Sequence, residues 1–352
     1  MVSKNASIFS YLEPDKNTKI SSLSNFDALQ VISSLKEYYL ELREKLNIGD
    51  VTFGLEIEFE QANRPTIDFL INSLYRENNW EVVDDGSLKD GGEVRTPKMI
   101  DAPFMWQDLA NVCHLIEQNA VIGDNCGGHV HVCMNVLGNN TRYWLNFVKL
   151  WMAYEDIIFR FLNGEFLNTR PGVYDQARPI SKNLIENFER FHECIDDNNP
   201  RHLFAKLDAG NSFIERRKRS VNFTNVTKVP PYQYGKVVDK NTVEFRSPNG
   251  TLDPVIWQNN VNLLVHLFMY AKSPNFNEEI INQRIRYILD EGIPYDTRKY
   301  NRVNRGQAIE FADLIFDNNL DKIYFLSQYL KHEGITSSQS LVRSKRFTNR
   351  CI

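Results

Sequence analysis

No stretch of this 352-residue chain reaches the ~18 consecutive apolar residues that a membrane-spanning helix requires. The opening MVSKNASIFSYLEPDKN carries no apolar run of the secretory-signal kind. Cysteine is scarce: Cys113, Cys126, Cys133, Cys194 and Cys351 are odd in number, at spacings that match no disulfide framework. These absences lead us to expect a soluble protein of a reducing cytoplasm, with no membrane partner. A charge imbalance is missing too. Lys and Arg total 41 against 45 Asp and Glu, a net charge of -4, which argues against a nucleic-acid partner and against a disordered acidic chain. The patterns GxxxxGK(S/T), GxGxxG after a strand, and GxSxG are all absent, which removes P-loop, dinucleotide and nucleophile-elbow chemistry.

What is present is ordinary globular composition, 42% hydrophobic and 24% charged, with 22 Phe and 15 Tyr to fill a core. Apolar spacing predicts helices over 26–46, after Pro65, over 104–118, 142–162 and 183–197, and from Pro254 to about residue 331. Alternation predicts strands at 51–60, 129–136, 220–226 and 241–248. Two shorter ones, 80–84 and 92–97, flank a turn at Asp85–Gly86–Ser87. Residues 163–181 hold two prolines and two glycines without periodicity, and read as a long ordered loop of the active-site-lid kind. The stretch from there to Arg219, after the 183–197 helix, reads as polar and basic. Strands and helices mix without regular β-α-β alternation, so the expected class is α+β.

Three strands set chemistry on one face each. In VTFGLEIEFE (51–60), Phe53, Leu55, Ile57 and Phe59 point one way and Glu56, Glu58 and Glu60 the other, about 6.5–7 Å apart. Such a row repels itself unless cations or basic groups neutralise it. It reads equally as an exposed acidic edge. HVHVCMNV puts His129, His131 and Cys133 opposite Val130 and Val132, entered through two glycines. Imidazole is a common ligand of divalent metals. A zinc site from Cys126, His129, His131 and Cys133 stays open, as does a polar strand with no ligand role. NTVEFRSP puts Thr242, Glu244 and Arg246 opposite Val243 and Phe245. Glu244 and Arg246 read either as an ion pair or as a cation ligand beside a phosphate-binding guanidinium. GGEVRTP adds Glu93, with Arg95 on the same face, and Asp85 and Ser87 read first as turn formers.

The order of these segments says more than any one of them. FGLEIE (53–58), DDGSL (84–88), GGEVRTP (91–97), CGGHVHV (126–132), RSVNFTNV (219–226) and TVEFRSPNGTLD (242–253) together resemble the amidoligase family of the glutamine synthetase-like superfamily, over roughly residues 50–270. That resemblance implies a curved antiparallel β-sheet with flanking helices, carrying an ATP-dependent carboxylate–amine ligase that works through an acyl phosphate. It implies Mg²⁺ or Mn²⁺, two or three ions, held by Glu56, Glu58, Glu93, His129 and Glu244, with His131 secondary. It puts Arg246 at the transferred phosphate and, on a looser match, Arg219 or Arg216 beside it. Arg95, Asp85 and Ser87 fall on or near the same face.

The loop residues Arg170, Tyr174 and Arg178 are our candidates for holding a substrate carboxylate, because arginine binds carboxylates bidentately. The expected partners are a small-molecule or peptide carboxylate and an amine. The expected organisation is an N-terminal helical extension (1–50), a catalytic domain (51–270), a C-terminal helical part (271–335) and a basic, mobile tail (336–352). The helical ends are candidates for packing, for a homo-oligomer contact or for recognition of a protein substrate. Two readings from other classes compete: a non-catalytic scaffold that keeps the fold, and a zinc hydrolase on the His129–Cys133 strand.

Overall fold

The structure, a computed structural model, describes residues 6–163, 173–186, 198–207, 218–227, 232–233, 236–237, 241–290 and 304–330. Its strands are β1 (Phe53–Phe59), β2 (Glu81–Val83), β3 (Gly92–Arg95), β4 (Gly128–Cys133), β5 (Val221–Asn222), β6 (Tyr232–Gln233), β7 (Lys236–Val237) and β8 (Thr242–Phe245). Its helices are α1 (Ala6–Phe9), α2 (Asn25–Glu37), α3 (Arg64–Leu74), α4 (Pro103–Asn119), α5 (Thr141–Asn163), α6 (Val173–Gln176), α7 (Ser181–Glu186), α8 (Pro200–Leu207), α9 (Thr224–Thr227), α10 (Pro254–Ala271), α11 (Glu278–Asp290), α12 (Arg305–Ile315) and α13 (Asn319–Leu330). The class is α+β. Six strands form one antiparallel sheet in the order β2-β3-β1-β4-β8-β5, and β6 and β7 form a separate ribbon. None of the described helices is long and apolar enough to cross a membrane.

Alternation along β1 decides which way the sheet faces. Phe53, Leu55, Ile57 and Phe59 are all buried, and they share their face with Val94, Val130, Val132, Val243 and Phe245. Three helices cover that face. Phe53 stacks on Trp106 of α4 with ring centroids 5.2 Å apart, and Phe245 meets Trp151 of α5 at 5.6 Å. Phe147 of α5 lies edge-on to Phe268 of α10 at 4.7 Å. A one-residue slip of β1 would exchange Leu55, Ile57 and Phe59 for glutamates and Phe53 for a glycine, losing about 1.5–3 kcal/mol for each large apolar group. The polar face is therefore a consequence of core packing.

The segment after α1 packs on α13. Asn319 of α13 accepts from Thr18 N–H (2.8 Å) and donates to the Glu13 carbonyl (2.8 Å). Arg43 pairs with buried Asp321 at 2.6 Å, and Gln258 of α10 brackets the Arg43 backbone on both its N–H and its carbonyl.

Three expected elements are corrected. The helix over 26–46 stops at Glu37, and Tyr38 is already extended. Residues beyond it bury Leu40, Leu46 and Ile48 and give their backbone groups to Gln258, Tyr324 and Asp101, so tertiary contacts outbid helical periodicity there. The strand over 220–226 is only Val221–Asn222, because the Asn222 side chain takes Thr224 N–H (2.9 Å) and starts α9. The stretch read as merely polar and basic contains α8, whose Leu203, Phe204 and Leu207 are buried. Of the helix expected over 183–197 only α7 (Ser181–Glu186) is described, and the stretch expected as a long loop over 163–181 contains α6 (Val173–Gln176); residues 164–172, 187–197, 291–303 and the tail 336–352 lie outside the described residues. Elsewhere among the described residues the helix and strand predictions agree within a few residues.

Candidate active site

β1 lies between β3 and β4, so its polar side chains have neighbours on both sides. Glu56 is opposite Arg95 on β3 and His129 on β4; Glu58 is opposite Glu93. His131 is opposite Glu244 on β8, and Glu244 is opposite Asn222 on β5. Residues paired in this way project to the same side of the sheet. Five strands thus deliver four carboxylates, two imidazoles, an arginine and an amide to one face.

The side chains converge on His129. Its Nδ1 lies 2.6 Å from Glu56 Oε2 and 3.8 Å from Glu244 Oε1; its Nε2 lies 3.5 Å from Glu58 Oε1. His131 Nε2 stands 3.2 Å from the other oxygen of Glu56, off the line a hydrogen bond needs. Arg95 Nε donates to Glu93 Oε1 (2.5 Å) and stays 3.7 Å from Glu56. Arg246 donates to Glu244 Oε1, and Asn222 Nδ2 to Glu244 Oε2 (2.6 Å). Glu58, Glu93, His129 and Glu244 are all buried.

The loops behind the strands hold this arrangement. A Cβ on Gly128 would sit 2.4 Å from the Trp257 ring, and one on Gly250 would sit 2.9 Å from the carbonyls of Cys126 and Gly127. Only glycine permits these approaches. They let Gly128 N–H reach the Pro248 carbonyl (3.0 Å) and Gly250 N–H the Cys126 carbonyl (3.3 Å). Gly127 N–H is then placed to donate to Glu58 Oε2 (2.5 Å). The glycines of CGGHVHV and SPNGTLD therefore serve one carboxylate.

Burial drives the carboxyls of Glu56, Glu93 and Glu244 upward, and neighbours decide the outcome. For Glu56, burial is outweighed by the hydrogen bond with His129 and by the close approach and charge of both His129 and His131, which hold it far below the usual carboxylate range. Glu244 is also buried, but His129, Arg246 and His131 hold it low. Glu93 goes the other way: burial and the nearby charge of Glu56 raise it, and Arg95 only partly offsets them.

Two sets of atoms suit a divalent cation. Glu56, His129 and Glu244 offer ligand atoms within 4.8 Å of one another, and so do Glu58, Glu93 and His129. The donor chemistry fits: carboxylate oxygens suit Mg²⁺ and Mn²⁺, with one imidazole shared. His129 Nε2 is buried with no hydrogen-bond partner, which costs stability unless something else takes its lone pair or proton. Among the described residues, no cysteine joins either set. Cys126 instead accepts from Gly123 N–H (3.3 Å), so the zinc reading gains no support from geometry.

The other expected residues are distributed as follows. Asp85 and Ser87 hold each other in a turn, with Ser87 N–H 2.8 Å from Asp85 Oδ1. Glu60 leaves the group and ties down loops, accepting from Lys89 N–H (3.1 Å) and Asn125 Nδ2 (2.9 Å). Arg219 is buried beside β5, and Arg178 pairs with it in a parallel bridge. Arg170 and Arg216 lie outside the described residues; Tyr174 belongs to α6, with its side chain not described. Sequence reasoning missed Asn222, although its place in the alternation of SVNFTNV, opposite Val221, marks it as polar-face. It also missed Gly127, whose contribution is a backbone N–H and leaves no residue-type signal.

A family model described as "Putative amidoligase enzyme" matches residues 49–268, more than half of the chain, and spans every residue of both sets. No curated protein matches the chain.

Proposed function

The chain belongs to the amidoligase family, and from that premise we propose that it is an ATP-dependent carboxylate–amine ligase on a sheet of the glutamine synthetase-like type. The observation that carries this reading is the convergence of Glu56, Glu58, Glu93 and Glu244 on one imidazole, on the polar face of an antiparallel sheet. So many acids gathered in one buried place call for positive charge. Glu56, His129 and Glu244 would hold one Mg²⁺ or Mn²⁺, and Glu58, Glu93 and His129 a second. Such ions, when bound, neutralise phosphate oxygens and draw electrons from the phosphorus.

In the reaction we propose, an oxygen of the substrate carboxylate bonds to the γ-phosphorus of ATP. The bond to the β,γ-bridging oxygen breaks, and ADP leaves with that electron pair. The amine nitrogen then bonds to the acyl carbon of the acyl phosphate, the carbon–oxygen bond to phosphate breaks, and the amine yields its proton to a general base. The product is an amide or peptide-like bond. Arg246, now on Glu244, suits the transferred phosphate, whose oxygens a planar guanidinium matches in geometry. Glu244 in turn aims Arg246, and Asn222 holds Glu244 from its other oxygen. Arg219 and Arg178 lie along the same edge of the sheet and suit further anionic groups of the substrates.

The test is a phosphate-release screen with Mg²⁺, ATP and pools of carboxylates and amines, run beside an ATP-binding measurement. Release that depends on both a carboxylate and an amine supports the reading. No release with any pool, together with no ATP binding, sinks it. Stoichiometric zinc retained through dialysis, read by elemental analysis, would favour hydrolysis instead.

A further inference from the structure

The middle of α5 carries a carboxylate that the polar face does not use. Tyr154 leaves helical geometry (φ −129°, ψ 17°), and the next residue, Glu155, is buried. Its Oε1 accepts from Trp151 Nε1 (2.8 Å), Ile180 N–H (2.8 Å) and Ser220 Oγ (2.9 Å), and its Oε2 accepts from Ser181 N–H (2.7 Å). A buried carboxylate is costly unless donors compensate it, and here they come from three separate segments.

Each of the two distant segments carries an arginine. Ile180 and Ser181 follow Arg178; Ser220 follows Arg219. These two segments are stitched together, with Arg178 N–H on the Lys218 carbonyl (3.2 Å) and Ser220 N–H on the Arg178 carbonyl (2.8 Å). Ser220 also accepts Arg246 N–H on its carbonyl (2.9 Å). One carboxylate on the core helix therefore fastens the backbone beside Arg178 and Arg219, and through Ser220 the backbone of Arg246.

We propose that Glu155 is a positioning residue: it registers the backbone beside Arg178, Arg219 and Arg246 into one anion-binding edge along β5, beside the carboxylate–histidine group. The inference rests on the ATP-dependent reading, because a polyphosphate is the anion this edge serves. The competing role is a purely structural one, in which Glu155 only stabilises the bend in α5. The two differ in what they leave intact. A positioning residue affects anion binding and spares cation binding at Glu56, His129 and Glu244. A purely structural one affects both together, or neither.

Glu155→Gln keeps the size but sets an NH₂ group against a backbone or hydroxyl donor. Mn²⁺ alone, followed by electron paramagnetic resonance, should bind within about twofold of the wild type, whereas tripolyphosphate, titrated calorimetrically in excess Mn²⁺, should bind about tenfold or more weakly. Hydrogen exchange at residues 178–181 and 218–220 should quicken in the same variant. Ser220→Ala removes one donor and should weaken tripolyphosphate about threefold with Mn²⁺ binding unchanged; it carries the test if Glu155→Gln does not fold. Wild-type tripolyphosphate affinity in the folded variants, or parallel loss of both ligands, overturns the positioning role alone. Failure of the wild-type protein to bind tripolyphosphate overturns the ATP-dependent reading, and this inference with it.

Discussion

Glu56 and Glu60 sit four residues apart on the same stretch of β1 and its extension, on the same face, and they have opposite fates. Glu56 lies in the middle of the sheet, with His129 at 2.6 Å, His131 at 3.2 Å and Arg95 at 3.7 Å. Glu60 lies at the strand's end, where Lys89 N–H and Asn125 Nδ2 occupy one oxygen and Gly123 crowds the other. One carboxylate meets His129 from β4 and Glu244 from β8, groups that could share a cation with it. The other meets donors from loops, and these satisfy it without a cation. The difference teaches that a face is not a site. Alternation assigns both residues to the polar side, but strand neighbours decide which one is set among groups that could hold a cation.

Mutations can break or sharpen this contrast. The largest effect is expected at its centre. His129→Ala removes the imidazole common to both ligand sets, and should lower Mn²⁺ affinity more than about 100-fold and abolish phosphate release. Glu56→Ala and Glu244→Ala should also abolish turnover while the far-ultraviolet circular dichroism stays native. Wild-type turnover in all three would mean the site lies elsewhere. Glu60→Ala should do the reverse. Stranding Lys89 N–H and Asn125 should cost about 1–3 kcal/mol of stability in a urea titration, with Mn²⁺ affinity retained. A loss of Mn²⁺ binding there would erase the contrast.

Asn222→Ala tests the support behind Glu244. Removing a hydrogen bond to a ligand carboxylate should weaken Mn²⁺ by about tenfold, measured by calorimetry. The smallest effect is expected at the β2–β3 turn, where Ser87→Ala loses an exposed contact to Asp85 and should shift stability by no more than about 0.5 kcal/mol. A large loss of phosphate release in Ser87→Ala would bring that turn into the site.

The comparison also shows where sequence reasoning is strong. The faces of β1, β4 and β8 were legible because alternation with buried Phe, Leu, Ile and Val leaves a strand one way to sit on its helices. The pairing of Glu58 with Glu93, or of His131 with Glu244, was not legible, because register depends on which strands become neighbours and on where turns close. The resemblance supplied the ligand set without the geometry, and the structure brings those residues within reach of one another. Helix limits were legible where an apolar stripe meets the core, as in α4 and α5. They failed at Tyr38, where Leu40, Leu46 and Ile48 found burial in an extended chain crossing α10 and α13.

Residue types and their spacing were enough to determine that this protein is an α+β domain with an acidic, histidine-bearing polar face, because side-chain direction follows strand period and needs only local information. Tertiary structure alone decided that His129 is the point of convergence, that Glu60 is diverted to loops, and that Glu155 on a core helix fastens the chain beside three arginines. Each of these depends on groups at least 25 residues apart in sequence meeting within 4 Å, and such meetings are set by packing, which no local pattern encodes.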